Sequence, residues 1–376
     1  MRVTVSTTHG PTMLLTHSGE YVQLLTPDGE RVAAPGFDPW VADLSHDELL
    51  SLYEDMVVSR RIDTEATALQ RQGEIGLWPP LIGQEAAQVA SAHALASDDF
   101  VFGSYRENAV AYCRGVDLAT MISVWRGNAN AGWNPYDINM AAPAIIIGTQ
   151  ALHAVGYAMG CTFDGSDQLA IAYFGDGATS QGDVNEAMVF AASFKAPVIF
   201  FCQNNQYAIS EPVGVQTTKP IADRAPGFGI PSIRVDGNDV LAVLAATRIA
   251  ADHARSGQGP MYIEAVTYRM GAHTTSDDPT RYRDDDEIQQ WRERDPIDRL
   301  HRYLEGLGAM TDEAESAVAA KADAVAKTLR DGCRSLAEPQ PLSFFDTVFA
   351  EPNHHLARQR SEYEAYLASL GGGEGR

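Results

Sequence analysis

The sequence predicts an α/β fold: a central, mainly parallel sheet flanked by helices, with helical additions at the N- and C-terminal ends. Three observations predict it. The run Leu169-Ala170-Ile171-Ala172-Tyr173-Phe174 is apolar throughout and breaks into Gly175-Asp176-Gly177. A second run, Val198-Ile199-Phe200-Phe201-Cys202, breaks into Asn204-Asn205. Between them, 180–194 reads as a helix. Continuous apolar runs bounded by turn residues mark strands buried on both faces. A right-handed crossover then puts both strand ends on one sheet edge. Asp176 and Asn205 are thereby predicted to lie side by side where open sheets bind ligands. A carboxylate and an amide oxygen suit Mg²⁺, which shares its remaining coordination with water and phosphates.

The other elements follow in chain order. Residues 1–20 are rich in Thr, Ser and His without a period and read as a loosely held extension. Pro27-Asp28-Gly29 is a turn signature between short strand-like runs. Ser45 followed by Glu48 starts a helix by capping-box logic, and Leu49, Leu52, Tyr53, Met56 and Val57 recur at helical spacing. Helices are also predicted at 83–95, 109–125, 150–159 and 240–254, and strands at 232–235 and 261–266. From 285 to about 367 the pattern is charged and helical, and Gly371-Gly372-Gly373 marks a frayed end. The expected organisation is an extension (1–45), a ligand-binding α/β domain (46–300) and a helical region (301–376).

The bulk properties narrow the classes. The 376 residues can bury a substantial core, and 45% hydrophobic residues is ordinary for a globular chain. A net charge of −22 argues against a nucleic-acid partner, which needs basic patches. Cys113, Cys161, Cys202 and Cys333 form no CxxC pair, which argues against a zinc site. Cys113 and Cys202 sit in apolar runs and read as reduced core thiols. With no targeting segment and no apolar run of bilayer length, a bacterial cytoplasmic protein with no membrane partner is expected.

Gly-Asp-Gly followed after 26 residues by Asn-Asn has the form of the thiamine diphosphate motif. Five sequence words occur in family order: Gly83-Gln84-Glu85-Ala86, Gly103-Ser104-Tyr105-Arg106-Glu107, the stretch 175–183, the stretch 204–210, and 268–278. With these words the chain resembles the α subunit of the first component of 2-oxo acid dehydrogenases, from about 24 to about 367. The resemblance implies a thiamine diphosphate-binding fold with thiamine diphosphate and Mg²⁺ as cofactors. By the same resemblance, Asp176, Asn205 and the Tyr207 carbonyl are the metal ligands. Tyr105, Arg106, Gly177, Ala178 and His273 are expected against the diphosphate side and Ile147 under the bent cofactor; Gln203 is a further cofactor contact, standing where some branched-chain relatives carry Arg and so giving fewer charged contacts to the diphosphate. His273 is the expected catalytic residue, donating a hydrogen bond or a proton to the reacting substrate. A helix starting after Gly177 is expected to present free N–H groups to the diphosphate. Leu77 and Trp78 are expected at the cavity entrance. Thr274 and Ser276 fall in the loop that is phosphorylated in mitochondrial relatives and read here as loop hydrogen bonders. Ala144 and Ile145 stand where branched-chain relatives place serines around potassium, which argues against a potassium site, while Thr149 and Gln150 of the same pattern persist.

The implied activity is decarboxylation of a 2-oxo acid with transfer of the acyl group to a lipoyl-bearing acyltransferase component. The family activates the cofactor with a glutamate from a β subunit, so an assembly of two α and two β subunits is expected, inactive as α alone. Words at 201–205 and 232–239 favour a branched-chain 2-oxo acid as substrate, while 271–273 and 278–283 also resemble bacterial pyruvate enzymes. A catalytically silent scaffold and half of a sugar-transferring thiamine enzyme are the alternatives from other classes.

Overall fold

The computed structural model describes residues 21–128 and 132–370. The expectations for 1–20 and for Gly371-Gly372-Gly373 lie outside the described residues. The chain forms two compact units, one reaching Arg334 and one beginning at Ser335.

The larger unit begins with a short stretch beside the sheet edge. The turn at Pro27-Asp28-Gly29 is present: Leu25 and Arg31 bridge antiparallel, and Gly29 has φ 80°. A Cβ there would meet the Tyr303 nitrogen at 2.7 Å, so the tight turn and the close neighbour both require glycine. Helix α1 (His46–Arg71) carries both halves of the predicted capping box. Helix α2 (Glu85–His93) is followed by strand β1 (Phe100–Phe102), which at three residues is too short to give a periodic signal. The single helix expected at 109–125 is divided into α3 (Asn108–Cys113) and α4 (Leu118–Arg126). Gly115, at φ 85°, makes the break, and Asp117 caps the new helix by accepting from the Thr120 N–H at 2.8 Å. The short α5 (Pro135–Ile138) leads to α6 (Thr149–Asp164).

The predicted βαβ unit follows as β2 (Ala170–Gly175), α7 (Gly182–Phe194) and β3 (Val198–Asn204). The helix does not begin directly after Gly177. Asp176–Ser180 forms a 3-10 turn first, and α7 starts at Gly182. A small hairpin, β4 (Tyr207–Ala208) and β5 (Glu211–Pro212), precedes α8 (Val213–Gln216). Then come β6 (Ser232–Asp236), α9 (Val240–Arg255), β7 (Met261–Val266), α10 (Asp285–Arg292), α11 (Pro296–Gly306) and α12 (Asp312–Ser335). The helical pattern expected to 367 is interrupted where Pro339 and Pro341 lack the N–H a helix needs. In the smaller unit, α13 (His354–Ser369) sets Tyr363 against Phe344 and Phe345.

The main sheet is fully parallel, in the order β1-β2-β3-β7-β6. Side chains alternate across it. Ala170, Ala172, Phe174, Phe200 and Cys202 join a core with Ala151, Ala154 and Val155 of α6 and Val184, Ala187 and Met188 of α7. Tyr173 points to the other face, where its hydroxyl donates to Ser91 of α2 at 2.8 Å. Burial on both faces explains why these strands read as unbroken apolar runs. The C-terminal strand ends therefore carry the polar residues. Among the described residues, no helix is long and apolar enough to cross a membrane.

Candidate active site

Strands β2 and β3 are adjacent and in register, with Gly175 opposite Gln203. Asp176 and Asn205 consequently leave the sheet side by side at its C-terminal edge. Behind them is a cavity of about 480 Å³. Tyr105, Arg106, Ile147, Asp176, Gly177, Ala178, Gln203, Asn205, Tyr207 and His273 all line it. The structure thus gathers these ten residues around one cavity.

Asp176 is 1% exposed. Its Oδ2 accepts from Gln216 at 2.9 Å, while its Oδ1 is buried with no hydrogen-bond partner. Burial pushes its carboxyl up to about 6. The Asn205 amide donates to Gln84 at 3.2 Å, and its Oδ1 accepts from the Tyr207 N–H at 3.3 Å. The turn carrying Tyr207 is held out of ordinary backbone conformations, with Gln206 at φ 76° and Ile209 at φ 57°. Asn204 faces inward instead, donating to Glu264 at 2.8 Å.

Two arginines also line the cavity. Arg106 donates to the carbonyls of Pro80 and His273, and its guanidinium lies 5.5 Å from the Tyr105 ring. Arg269, which belongs to a sequence word above but was given no role there, is fully buried. It donates to the carbonyls of Tyr207 at 3.1 Å and Ile209 at 2.7 Å and to the Tyr282 hydroxyl at 3.0 Å. Among the described residues, neither arginine is ion-paired with a carboxylate. Two buried, unpaired cations beside one cavity constitute a site for an anion.

His273 lies between these arginines. Its Nδ1 is 3.2 Å from Arg106 and 3.3 Å from Arg269. Arginine only donates, so Nδ1 accepts and the proton of the neutral ring is on Nε2. Burial, then the Arg106 and Arg269 charges, push the imidazole down to about 3. In this state the ring offers a neutral N–H, not a transferable imidazolium proton. Asp277 holds its loop by accepting from the His273 N–H at 2.8 Å. Arg283 braces the same loop by donating to the carbonyls of Arg269, Met270 and Gly271.

Gln203 lines the cavity, but its amide is engaged on both sides. It donates to buried Glu107 at 2.6 Å and accepts from Gln88 at 3.1 Å. Ile147 is 40% exposed rather than buried. Leu77 lines the cavity as expected, whereas Trp78 does not. Trp78 is fully buried and donates its indole N–H to Asp63 at 2.6 Å. Trp125, in edge contact with it, takes the lining position. Thr274 lines the cavity and its hydroxyl accepts from the Ser276 N–H at 3.3 Å.

A parallel sheet covered by helices on both faces, whose strand ends bring a carboxylate–amide pair and two buried arginines to one cavity, defines an α/β protein with a polar, anion-attracting cleft at its C-terminal sheet edge. The profile of the "Dehydrogenase E1 component" family matches residues 53–333. The chain is 46% identical to the "3-methyl-2-oxobutanoate dehydrogenase subunit alpha" of Mycobacterium tuberculosis, over 95% of this chain and 96% of the relative. It is 40% identical to the "Pyruvate dehydrogenase E1 component subunit alpha" of Staphylococcus epidermidis and 39% identical to that of Staphylococcus aureus, over 92% of each chain. The chain belongs to the dehydrogenase E1 component family.

Proposed function

We propose that the chain is the α subunit of a thiamine diphosphate- and Mg²⁺-dependent 2-oxo acid dehydrogenase that acts on branched-chain 2-oxo acids. The observation that carries this reading is the cavity itself, which is lined by an unpartnered carboxylate oxygen and by two buried arginines without a carboxylate partner. The donor set fits the cofactor. Asp176 Oδ1 is vacant, and the Asn205 amide oxygen and Tyr207 carbonyl each keep a second lone pair for Mg²⁺. A Cβ on Gly177 would meet that of Ala208 at 2.7 Å, so the 3-10 turn is pressed against the hairpin that carries Tyr207. Tyr105, Arg106, Gly177, Ala178, Gln203 and His273 would hold the diphosphate, and Ile147 would support the bend of the cofactor.

When bound, thiamine diphosphate supplies the electron sink that a 2-oxo acid needs to lose its carboxylate. The chain's own residues do the rest. His273 directs its Nε2–H toward the cavity as a neutral donor, fixed by Arg106 and Arg269 on Nδ1. Leu77, Trp125 and Ile147 exclude water from the reacting end. The lining holds two carboxylates among the described residues, Asp176 and Glu107. Glu107 is saturated by the Ser104 N–H and hydroxyl and by Gln203. No lining glutamate remains to activate the cofactor, which supports a β subunit as its source, in an assembly of two α and two β chains. The acyl group would then pass to a lipoyl-bearing acyltransferase component. Residues 46–300 are the proposed cofactor-binding domain, between an extension (1–45) and a helical region (301–376). Four free cysteines fit the reducing bacterial cytoplasm as its proposed setting.

The identities of 46% and 40% support the branched-chain substrate over pyruvate, the second reading. A hydrophobic pocket separates substrates differing by one methylene by only ~1–3 kcal/mol. The test is reconstitution with the β partner, thiamine diphosphate and Mg²⁺, comparing 3-methyl-2-oxobutanoate with pyruvate. Higher kcat/KM for the branched acid is expected. Preference for pyruvate overturns the substrate assignment, and full activity of α alone overturns the partner. A silent scaffold would be inactive with both acids.

A further inference from the structure

Outside the active site, three side chains with metal-ligating atoms converge from three helices. Asp55 is on α1, His93 is the last residue of α2, and Cys113 is the last of α3. Their ligating atoms all lie within 4.8 Å of one another. One oxygen, Asp55 Oδ2, is 2.7 Å from His93 Nε2 and 3.9 Å from Cys113 Sγ. Among the described residues no arginine or lysine is paired with Asp55. The neighbouring lysine, Lys321, is engaged by Glu54. The absence of a CxxC pair pointed away from zinc. That expectation holds for sites whose ligands are close in sequence, and these are 38 and 20 residues apart. Nor is Cys113 the apolar core thiol its neighbours suggested. It is half-buried and turned toward a carboxylate.

We propose that Asp55, His93 and Cys113 form a binding site for a borderline-soft divalent cation of the Zn²⁺ type, with solvent as its fourth ligand. The donor set decides the metal. Thiolate, imidazole and carboxylate together suit Zn²⁺, whereas Mg²⁺ and Ca²⁺ take oxygen shells. The geometry requires little movement. Bonds of ~2.0 Å to nitrogen and oxygen and ~2.3 Å to sulfur place tetrahedral ligands ~3.2–3.6 Å apart. The observed 2.7 and 3.9 Å bracket that range, and side-chain torsions span the difference. His93 is exposed, so an ion has access and room for water. On binding, the Cys113 S–H proton and any proton on His93 are released to solvent. In unliganded protein burial and the Asp55 charge hold that thiol well above its ordinary value, so Cys113 is not a reactive cysteine.

The position gives the ion a role. Helix α3 follows Tyr105, Arg106 and Glu107 directly, and α2 carries Gln88, which holds Gln203 and the Arg106 carbonyl. A bound ion would tie both elements to the long helix α1. It would be a structural clamp behind the cavity, separate from the Mg²⁺ ligands and independent of the function proposed above.

The test uses the full chain, reduced and stripped by chelation, in excess Mg²⁺. It is titrated with Zn²⁺ alone by calorimetry and with Co²⁺ alone by absorption. One equivalent per chain, a near-ultraviolet thiolate-to-cobalt charge-transfer band, and a Zn²⁺-induced rise in unfolding midpoint are expected. Cys113→Ser should lose the band and the rise, and Asp55→Asn should weaken binding. His93→Gln alters an exposed side chain and provides a second variant should Cys113→Ser fail to fold. It too should lose the rise. Absence of stoichiometric uptake overturns the proposal. So does a band that persists in Cys113→Ser, which would assign it to Cys161, Cys202 or Cys333, or a Zn²⁺-induced rise that persists undiminished in His93→Gln.

Discussion

Replacing Gly177 with alanine tests the geometry on which the active-site reading depends. Gly177 does not have a positive φ, so the substitution adds no backbone strain and acts only through the new methyl group. That Cβ would lie 2.7 Å from the Ala208 Cβ, while ordinary contact starts at 3.4 Å, so the two elements must separate by at least about 0.7 Å. The elements are the 3-10 turn carrying Asp176 and the hairpin carrying Tyr207, the two sides of the proposed metal site. Overpacking of this kind costs ~1–3 kcal/mol of stability. A shift approaching 1 Å at a binding constellation costs up to ~100-fold in function. Ala208→Gly is the designed rescue. Without its Cβ, the nearest atom to the new methyl is the Ala208 Cα at 3.5 Å, an ordinary contact. Glycine in that strand costs ~0.5–1 kcal/mol by itself. The double variant should therefore be more stable than the sum of the single effects, with a favourable coupling of at least ~1 kcal/mol. Gly182→Ala, where nothing lies within 4 Å, is the neutral control. The assays are urea unfolding midpoints of the chain and calorimetric binding of thiamine diphosphate with Mg²⁺ to the assembled enzyme. A Gly177→Ala protein with wild-type midpoint and affinity, or a double variant showing simple additivity, refutes the reasoning.

Two further outcomes follow from the titrating groups. Because His273 is held down to about 3, it is neutral throughout pH 5–8, and kcat/KM should show no acid limb belonging to it. His273→Gln should lower the rate by ~10²–10³-fold, as for loss of one transition-state donor, with a parallel pH profile. A wild-type limb near the ordinary histidine value that vanishes in the variant would contradict this. Asp63 is buried beneath Trp78, Leu81 and Ile82, and burial raises it from 3.8 to about 6. A carboxyl raised in the folded state contributes stability that is fully present below pH 3.8 and is lost as pH rises through about 6. Between pH 5 and 8 the wild type should lose ~1.4 kcal/mol relative to Asp63→Asn, whatever the fixed cost of the asparagine. Unfolding midpoints at both pH values measure the difference, and a pH-independent gap refutes the shift.

The parts legible in the sequence are those whose physics is local. The strands β2 and β3 announced themselves because burial on both faces forces unbroken apolar runs, and their polar ends could then be placed on one edge. The capping box at Ser45 and Glu48 is complete within four residues, so it too was readable. What escaped depends on distance along the chain. Arg269 reads as one arginine in a loop, and only the fold brings it against His273 and Arg106 without a carboxylate. Gln203 reads as a free ligand-facing amide until Glu107 and Gln88, 96 and 115 residues away, are seen to hold it. Trp78 and Trp125 exchange roles because a buried acceptor, Asp63, draws one indole inward, and the position of that acceptor is a property of the folded helix α1. The tautomer of His273 lies furthest from sequence: it follows from which atoms two distant guanidinium groups present to one ring nitrogen. A motif therefore locates the proposed metal side of this site, where the candidate ligands follow two adjacent strands. The anion side, assembled from two loops far apart in sequence, becomes legible only when charges without a carboxylate partner are counted in the fold.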